Sequence, residues 1–246
     1  MSDQVVQIVN PDGKSPVLLV CEHASYAIPD DLNGLGLTAQ EAISHVAWDP
    51  GAMATATLLS QALDARLIAS RISRLVYDAN RPPEAPDAIP ARSEQTHIAG
   101  NVDLSAADRS ERVTRYYTPF RDALAAQVAA RPAPVIVTIH SFTPVYNGKE
   151  RHVEIGVLHD ADTRLADAML AEAARFTDLQ VERNAPYGPE DGVTHTLLEH
   201  AIRWGHPNVM LEIRNDLIAD AQGQARIAAI LKPWLTAALS ALKVAA

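Results

Sequence analysis

The run Val17–Cys21 (VLLVC) is continuously apolar, contains no polar alternation, and stops abruptly at Glu22-His23. A strand of that kind has to be covered on both faces, which is the situation inside a parallel sheet rather than on a sheet with one wet side. Similar runs recur at Arg66–Ser70, Arg74–Asp78, Val135–His140, Val153–His159 and Val209–Ile213. Helical periodicity lies between them, over Thr38–Val46, Gly51–Leu63, Ser105–Ala130, Asp160–Arg175 and Val193–Trp204, with a last helix from about Gln222 to Val244. Thr38 with Glu41, and Ser105 with Asp108, have the spacing of helix-capping pairs. Strands alternating with helices predict a three-layer α/β fold, a mostly parallel or mixed sheet flanked by helices, in one domain over residues 1–246. In such folds chemistry collects at the carboxyl ends of the strands.

Composition narrows the partners. Asp and Glu number 30 against 21 Lys and Arg, a net charge of −9, so nucleic acid and anionic membrane surfaces are poor partners. Apolar residues make up 48% and charged residues 21%, an ordinary globular balance with enough apolar surface for a core. The lone Cys21 forms no internal disulfide, and a packing role within its strand fits it better than nucleophilic chemistry. No apolar run approaches the ~20 residues that span a bilayer, and the first residues lack a basic start or apolar signal core, so the expected location is the cytoplasm. No glycine-rich phosphate loop indicates a nucleotide.

Two stretches break the strand–helix rhythm. Asn80–Leu104 holds four prolines and little periodicity, and so long a loop predicts a cover over the site. Asn184–Gly192 (NAPYGPEDG) is a turn-rich connection before a helix.

Several strands end in groups that a core does not choose: Glu22-His23, Asp78-Ala79-Asn80-Arg81, His140-Ser141, and Glu212 within an otherwise apolar strand. Two imidazoles and a carboxylate from separate strand ends, with a further carboxylate left over, suit a catalytic zinc with an open coordination position. His23 and His140 are the expected imidazole ligands. The third ligand is Asp49 of WDPGA, placed just before a helix, with Glu22 in reserve; Asp49 is equally well placed to cap that helix. Glu212 needs a reason for its burial, either as a general base with a raised pKa or as the partner of Arg214 on the same strand face. Arg81 carries the planar fork that grips a carboxylate, with the Asn80 amide beside it. Arg71 and Arg74 are candidates for a second cationic contact, and His195 for a substrate contact from the start of its helix; His152 and His159 read as structural.

These segments also carry a resemblance. VTIHSF around His140 and VMLEIRND around Glu212 resemble the zinc carboxypeptidase strands bearing a zinc histidine and the catalytic glutamate, and Asn80-Arg81 is similar to their substrate-carboxylate pair. The combination of CEHAS with Ile28-Pro29, WDPGA, SRLVYDANRP and THTLLEHA most resembles the N-formylglutamate amidohydrolase family, from about Val17 to Leu217. One departure stands out: three residues after His23, where carboxypeptidases have a glutamate, this chain has Tyr26. The resemblance implies a phosphorylase/hydrolase-like, zinc exopeptidase-like fold and zinc-dependent cleavage of the N-acyl amide of an N-formyl or N-acyl amino acid, with N-formyl-L-glutamate as the family-level substrate. A carboxypeptidase, an N-acetyl amino acid deacylase and a non-catalytic carboxylate-binding module remain open alternatives.

Overall fold

The computed structural model describes residues 5–243. Seven strands form the main sheet: β1 (Val6–Val9), β2 (Val17–Cys21), β3 (Arg66–Ser70), β4 (Val135–Phe142), β5 (Ile155–Leu158), β6 (Val181–Arg183) and β7 (Asn208–Arg214). Their order is β1-β3-β2-β4-β7-β5-β6. The centre, β3-β2-β4-β7, is parallel; β1 joins β3 and β5 joins β7 in antiparallel fashion, so the sheet is mixed.

Strand parity sorts the core into two layers. Odd-numbered residues such as Leu19, Leu67, Val137 and Leu211 face one apolar cluster, covered by α1 (Ala52–Leu63), α4 (Arg164–Glu172) and α6 (Ala221–Ala241). Even-numbered residues such as Leu18, Ile68, Ile136 and Met210 face the other, covered by α3 (Thr118–Ala129) and α5 (His195–His200). Successive side chains of a strand point to opposite faces. Glu22, His140 and Glu212 therefore all fall on the second face, at its carboxyl edge, and β4 pairs with β7 so that His140 and Glu212 are direct register partners.

Three expected elements differ. Arg74–Asp78 is a turn leading into an extended segment, because Ser73 accepts from Val76 N through its carbonyl and from Leu75 N through its hydroxyl, closing the chain on itself. The helix expected over Thr38–Val46 is one turn, Ala39–Ala42: Thr38 and Glu41 form the capping box, but Ser44 Oγ takes the Glu41 carbonyl and Trp48 Nε1 takes the Ile43 carbonyl. Ser105–Ala130 is helical in three pieces, α2 (Ala106–Arg112), a π turn (Val113–Tyr117) and α3. Pro119 has no N–H and its ring clashes with the preceding turn, and a wider turn just ahead of it accommodates both. The edge strands β1 and β6 were not anticipated; both are short and half exposed, without the apolar run that marks the centre.

The long loop is stapled rather than slack. Asn101 Nδ2 donates to Leu75 O (2.7 Å) and Pro90 O (2.8 Å), and the Arg112 guanidinium donates to Val76 O and Asn101 Oδ1, both at 2.9 Å.

Gly51, at the N-cap of α1, makes a left-handed bend near the site. Its φ is +81°, and a Cβ there would lie 2.3 Å from Ile218 O. Gly51→Ala should therefore lower stability by about 2 kcal/mol or more, seen as a lower urea midpoint with an unchanged slope.

Candidate metal centre and active-site cavity

A cavity of about 350 Å³ opens at the carboxyl edge of the sheet. Its floor is His23, Asp49, His140 and Glu212; Arg74, Asp78, Asn80 and Arg81 form one wall, and Asp87, Pro90, Arg92 and Glu94 of the long loop form another. The loop expected to cover the site supplies residues of that wall.

Three ligand-type atoms converge on the floor. Asp49 Oδ2 lies 3.0 Å from His140 Nδ1 and 3.3 Å from His23 Nδ1, and the two Nδ1 atoms are 3.2 Å apart. The three residues form a buried group capable of holding a metal ion. Tetrahedral ligands at about 2.1 Å from an ion stand ~3.4 Å from one another, so the triangle has the right size. Asp49 is held in place by its own backbone, which donates to His23 O at 2.9 Å, and by Ser141 N, which donates to Oδ2 at 3.1 Å.

The far side of each ring is backed by a carboxylate. Asp78 Oδ1 lies 2.7 Å from His23 Nε2, and Glu22 Oε2 lies 3.0 Å from His140 Nε2, off the ring N–H direction. At His23 the carboxylate behind Nε2 places the hydrogen there and leaves the Nδ1 lone pair pointing inward, the arrangement that orients metal-binding histidines. Glu22, the reserve ligand, thus stands behind His140 rather than in the triangle.

The charges favour a cation. Glu22, Asp49 and Asp78 are three buried carboxylates with Arg74 beside them, while Arg81 is paired with Asp87, which leaves two negative charges while the rings are neutral. With no cation in the triangle the rings themselves are driven toward the charged form. Burial opposes this in both. At His140 the carboxylates of Glu22 and Asp49 outweigh it and hold the pKa well above the usual value; at His23 burial and Arg74 are together outweighed by Asp78 and Asp49. Burial also works against ionisation of Asp49 and Asp78, yet the neighbouring imidazoles, and Arg74 at Asp78, keep both low. Two inward lone pairs and a carboxylate oxygen, spaced for tetrahedral bonds inside a negative cage, fit a divalent metal.

Glu212 is the exception. Burial pushes its carboxyl up to about 7, against the pull of His140, and Oε2 has no hydrogen-bond partner. The alternative pairing with Arg214 is not formed: that guanidinium turns to Asp216 (2.8 Å) and Glu154 (3.3 Å).

The remaining candidates divide. Arg74 Nη2 donates to Asp78 Oδ2 at 2.9 Å, and Arg74 also approaches Asp49 Oδ1 at 3.5 Å, while 31% of its side chain stays open. Arg81 is almost buried, its Nε donating to Asp87 Oδ2 at 2.7 Å. Asn80 spends its amide on the start of α5, with Nδ2 donating to Val193 O at 2.5 Å and Oδ1 accepting from Thr196 N at 2.9 Å. His195 lies outside the cavity walls and bonds Tyr117 Oη at 2.8 Å. His159 is engaged by Arg183 and the Asp160 carbonyl, and burial pushes the Cys21 thiol up. The sequence reading left Asp78, Asp87 and Tyr187 without roles; no spacing marks them, since each reaches the cavity from a turn or loop.

A carboxylate-rich, histidine-centred cavity at the carboxyl edge of an α/β sheet defines a hydrolase-type site. The particular family follows from comparison: the model for N-formylglutamate amidohydrolase matches residues 15–219, and the chain belongs to that family. Its structure is similar to that of gene product Atu2144 from Agrobacterium tumefaciens, with 54% identity, a TM-score of 0.94, and coverage of 98% of this chain and 97% of that one. It shares a fold with N-formylglutamate amidohydrolase from Ralstonia eutropha JMP134, at 18% identity and a TM-score of 0.64 over 98% of this chain and 100% of that one. No curated protein matches the sequence. Among the described residues no helix is long and apolar enough to cross a membrane.

Because Glu212 titrates near 7 in the metal-free fold and near 4.5 when exposed, the native state holds the proton longer as pH rises, and stability falls between those values. In metal-free protein, Glu212→Gln should be more stable than the parent by about 3 kcal/mol at pH 8 and nearly equal to it at pH 4, measured by urea unfolding.

Proposed function

We propose that this chain is a zinc-dependent amidohydrolase that cleaves the N-acyl amide of an N-acyl amino acid, with N-formyl-L-glutamate as the reference substrate. The observation that carries the reading is the triangle of His23 Nδ1, His140 Nδ1 and Asp49 Oδ2 with a carboxylate behind each ring. His23, His140 and Asp49 would hold the ion, and two imidazoles with one carboxylate are a donor set that suits zinc with an open position. When bound, the metal supplies Lewis acidity toward the acyl oxygen and acidifies water.

The chain's own groups do the rest. Glu212, desolvated and unpartnered at one oxygen, takes a proton from the attacking water and delivers it to the leaving amide nitrogen, a task favoured by a pKa near neutrality. Arg81 offers its terminal N–H groups to the substrate's α-carboxylate. Asn80 contributes by tying the Arg81 segment to α5. Arg74, half-committed to Asp49 and Asp78, keeps an open edge toward the cavity for the polarised carbonyl. Residues held in this way convert binding energy into orientation of the amide. The lone buried Cys21 is compatible with a reducing, cytoplasmic setting.

The test pairs metal content with formate release from a panel of N-formyl, N-acetyl and dipeptide substrates. Purified protein should carry about one zinc, lose turnover to a chelator and regain it with zinc. Glu212→Gln should lower kcat by about 10³-fold or more with metal content unchanged. An unaltered rate removes Glu212 from the mechanism, and tight ligand binding with neither zinc nor rescue by zinc favours a binding module.

A further inference from the structure

Arg81 already holds a carboxylate. Its Nε donates to Asp87 Oδ2 at 2.7 Å, Nη1 donates to Asn80 O at 3.0 Å and Nη2 to Asp191 O at 3.4 Å. A guanidinium has five N–H donors. Three are directed into the protein, one from each nitrogen, and two remain on the terminal nitrogens.

Asp87 is not a freely swinging acid. The next residue, Ala88, is 2% exposed; its carbonyl accepts from Asp78 N at 2.8 Å, and its own N–H donates to Ala85 O at 3.2 Å. Ile89 beside it is equally buried. The Asp87 backbone is thus fixed by the residue that backs His23, and Arg81 N donates to that same Asp78's carbonyl at 3.0 Å. The Asp87 side chain is 55% exposed and that of Arg81 10%. Acid and base are therefore anchored from one point, with the contact at the cavity wall.

From this geometry we infer that Asp87 is the positioning residue of the carboxylate receptor: it occupies the Nε side of Arg81 and aims the two remaining terminal N–H groups at the substrate's α-carboxylate. The inference rests on the reading of Arg81 given above. Asp87 acts through Arg81 and does not touch the reacting atoms. A planar fork forms two parallel bonds only when its plane is set, and a residue fixed by its backbone sets it in advance of binding. An acid free to swing away would instead compete with the substrate for the same guanidinium, and the two roles predict opposite changes in KM.

The experiment measures kcat and KM for hydrolysis of an N-formyl amino acid by zinc-loaded protein, comparing the parent with Asp87→Asn, Asp87→Glu and Arg81→Lys. Asp87→Asn should raise KM about tenfold while kcat stays within about twofold, with an unchanged melting temperature, because loss of orientation at a remote carboxylate removes binding shared by ground and transition states. Asp87→Glu should recover part of the loss. Arg81→Lys should raise KM at least as much. A KM that falls in Asp87→Asn would show a competing acid, and an unchanged KM would show a bystander; either overturns the inference. If Arg81→Lys leaves KM unaltered, the reading of Arg81 as receptor fails first, and the two failures are told apart by that variant.

Discussion

Everything at the carboxyl edge of the sheet depends on the burial of negative charge. Four carboxylates taken out of water are expensive unless each finds positive charge or donors. Asp78 finds Arg74 and the Asn80 backbone N–H, and Asp49 finds Ser141 N. Glu22 has only the His140 ring and the nearby Thr196 hydroxyl. The histidines are consequently pulled in two directions: His23 Nε2 bonds Asp78 and His140 Nε2 has the Glu22 carboxylate 3.0 Å away, while the two Nδ1 atoms face each other at 3.2 Å. Two Nδ1 lone pairs in that pose repel, and charged rings repel more. A divalent ion in the triangle would remove both conflicts at once, so the electrostatics of the cluster suit a metal ion.

Much of this was legible in the sequence, and the reason is parity. Unbroken apolar strands announce a doubly covered sheet, and a polar residue at the end of such a strand has few places to go. His23 and His140 are 117 residues apart, yet β2 and β4 are paired neighbours, and their shared carboxyl edge brings the rings together. Glu212 follows from the same rule through its pairing with His140. Asp49 was harder, because an acid before a helix is also a natural cap. The structure shows that no side-chain cap bond is made at the start of α1, where Gly51 is the N-cap, which frees the carboxylate to turn inward.

What the sequence hid lies in the loops. Asn80 looked like a substrate donor beside Arg81, but its amide bridges two backbone groups 113 and 116 residues away. His195 was placed on a helix start that does approach the centre, yet it is Thr196 that meets Asn80 and lies near Glu22, while the imidazole turns to Tyr117. Pattern reasoning gives the face of a regular element; it gives no direction for a residue at an irregular end. Asp78 and Asp87 belong to the same category, since their positions follow from turns closed by backbone bonds and not from periodicity.

Asp78 links the histidine cluster to the Arg81 segment. Its side chain backs His23 at 2.7 Å, its N–H bonds the Ala88 carbonyl, and its carbonyl accepts from Arg81 N. A single residue thereby ties the Arg81 backbone to the ring of His23. In an N-acyl α-amino acid the amide nitrogen and the carboxylate are attached to the same carbon, so their separation is set by covalent geometry. A receptor on a flexible loop would accept carboxylates at many distances from the amide. On the function proposed above, an Arg81 segment tied to Asp78 would favour a carboxylate at one fixed separation from the amide, and discrimination against a more distant carboxylate would follow from those bonds.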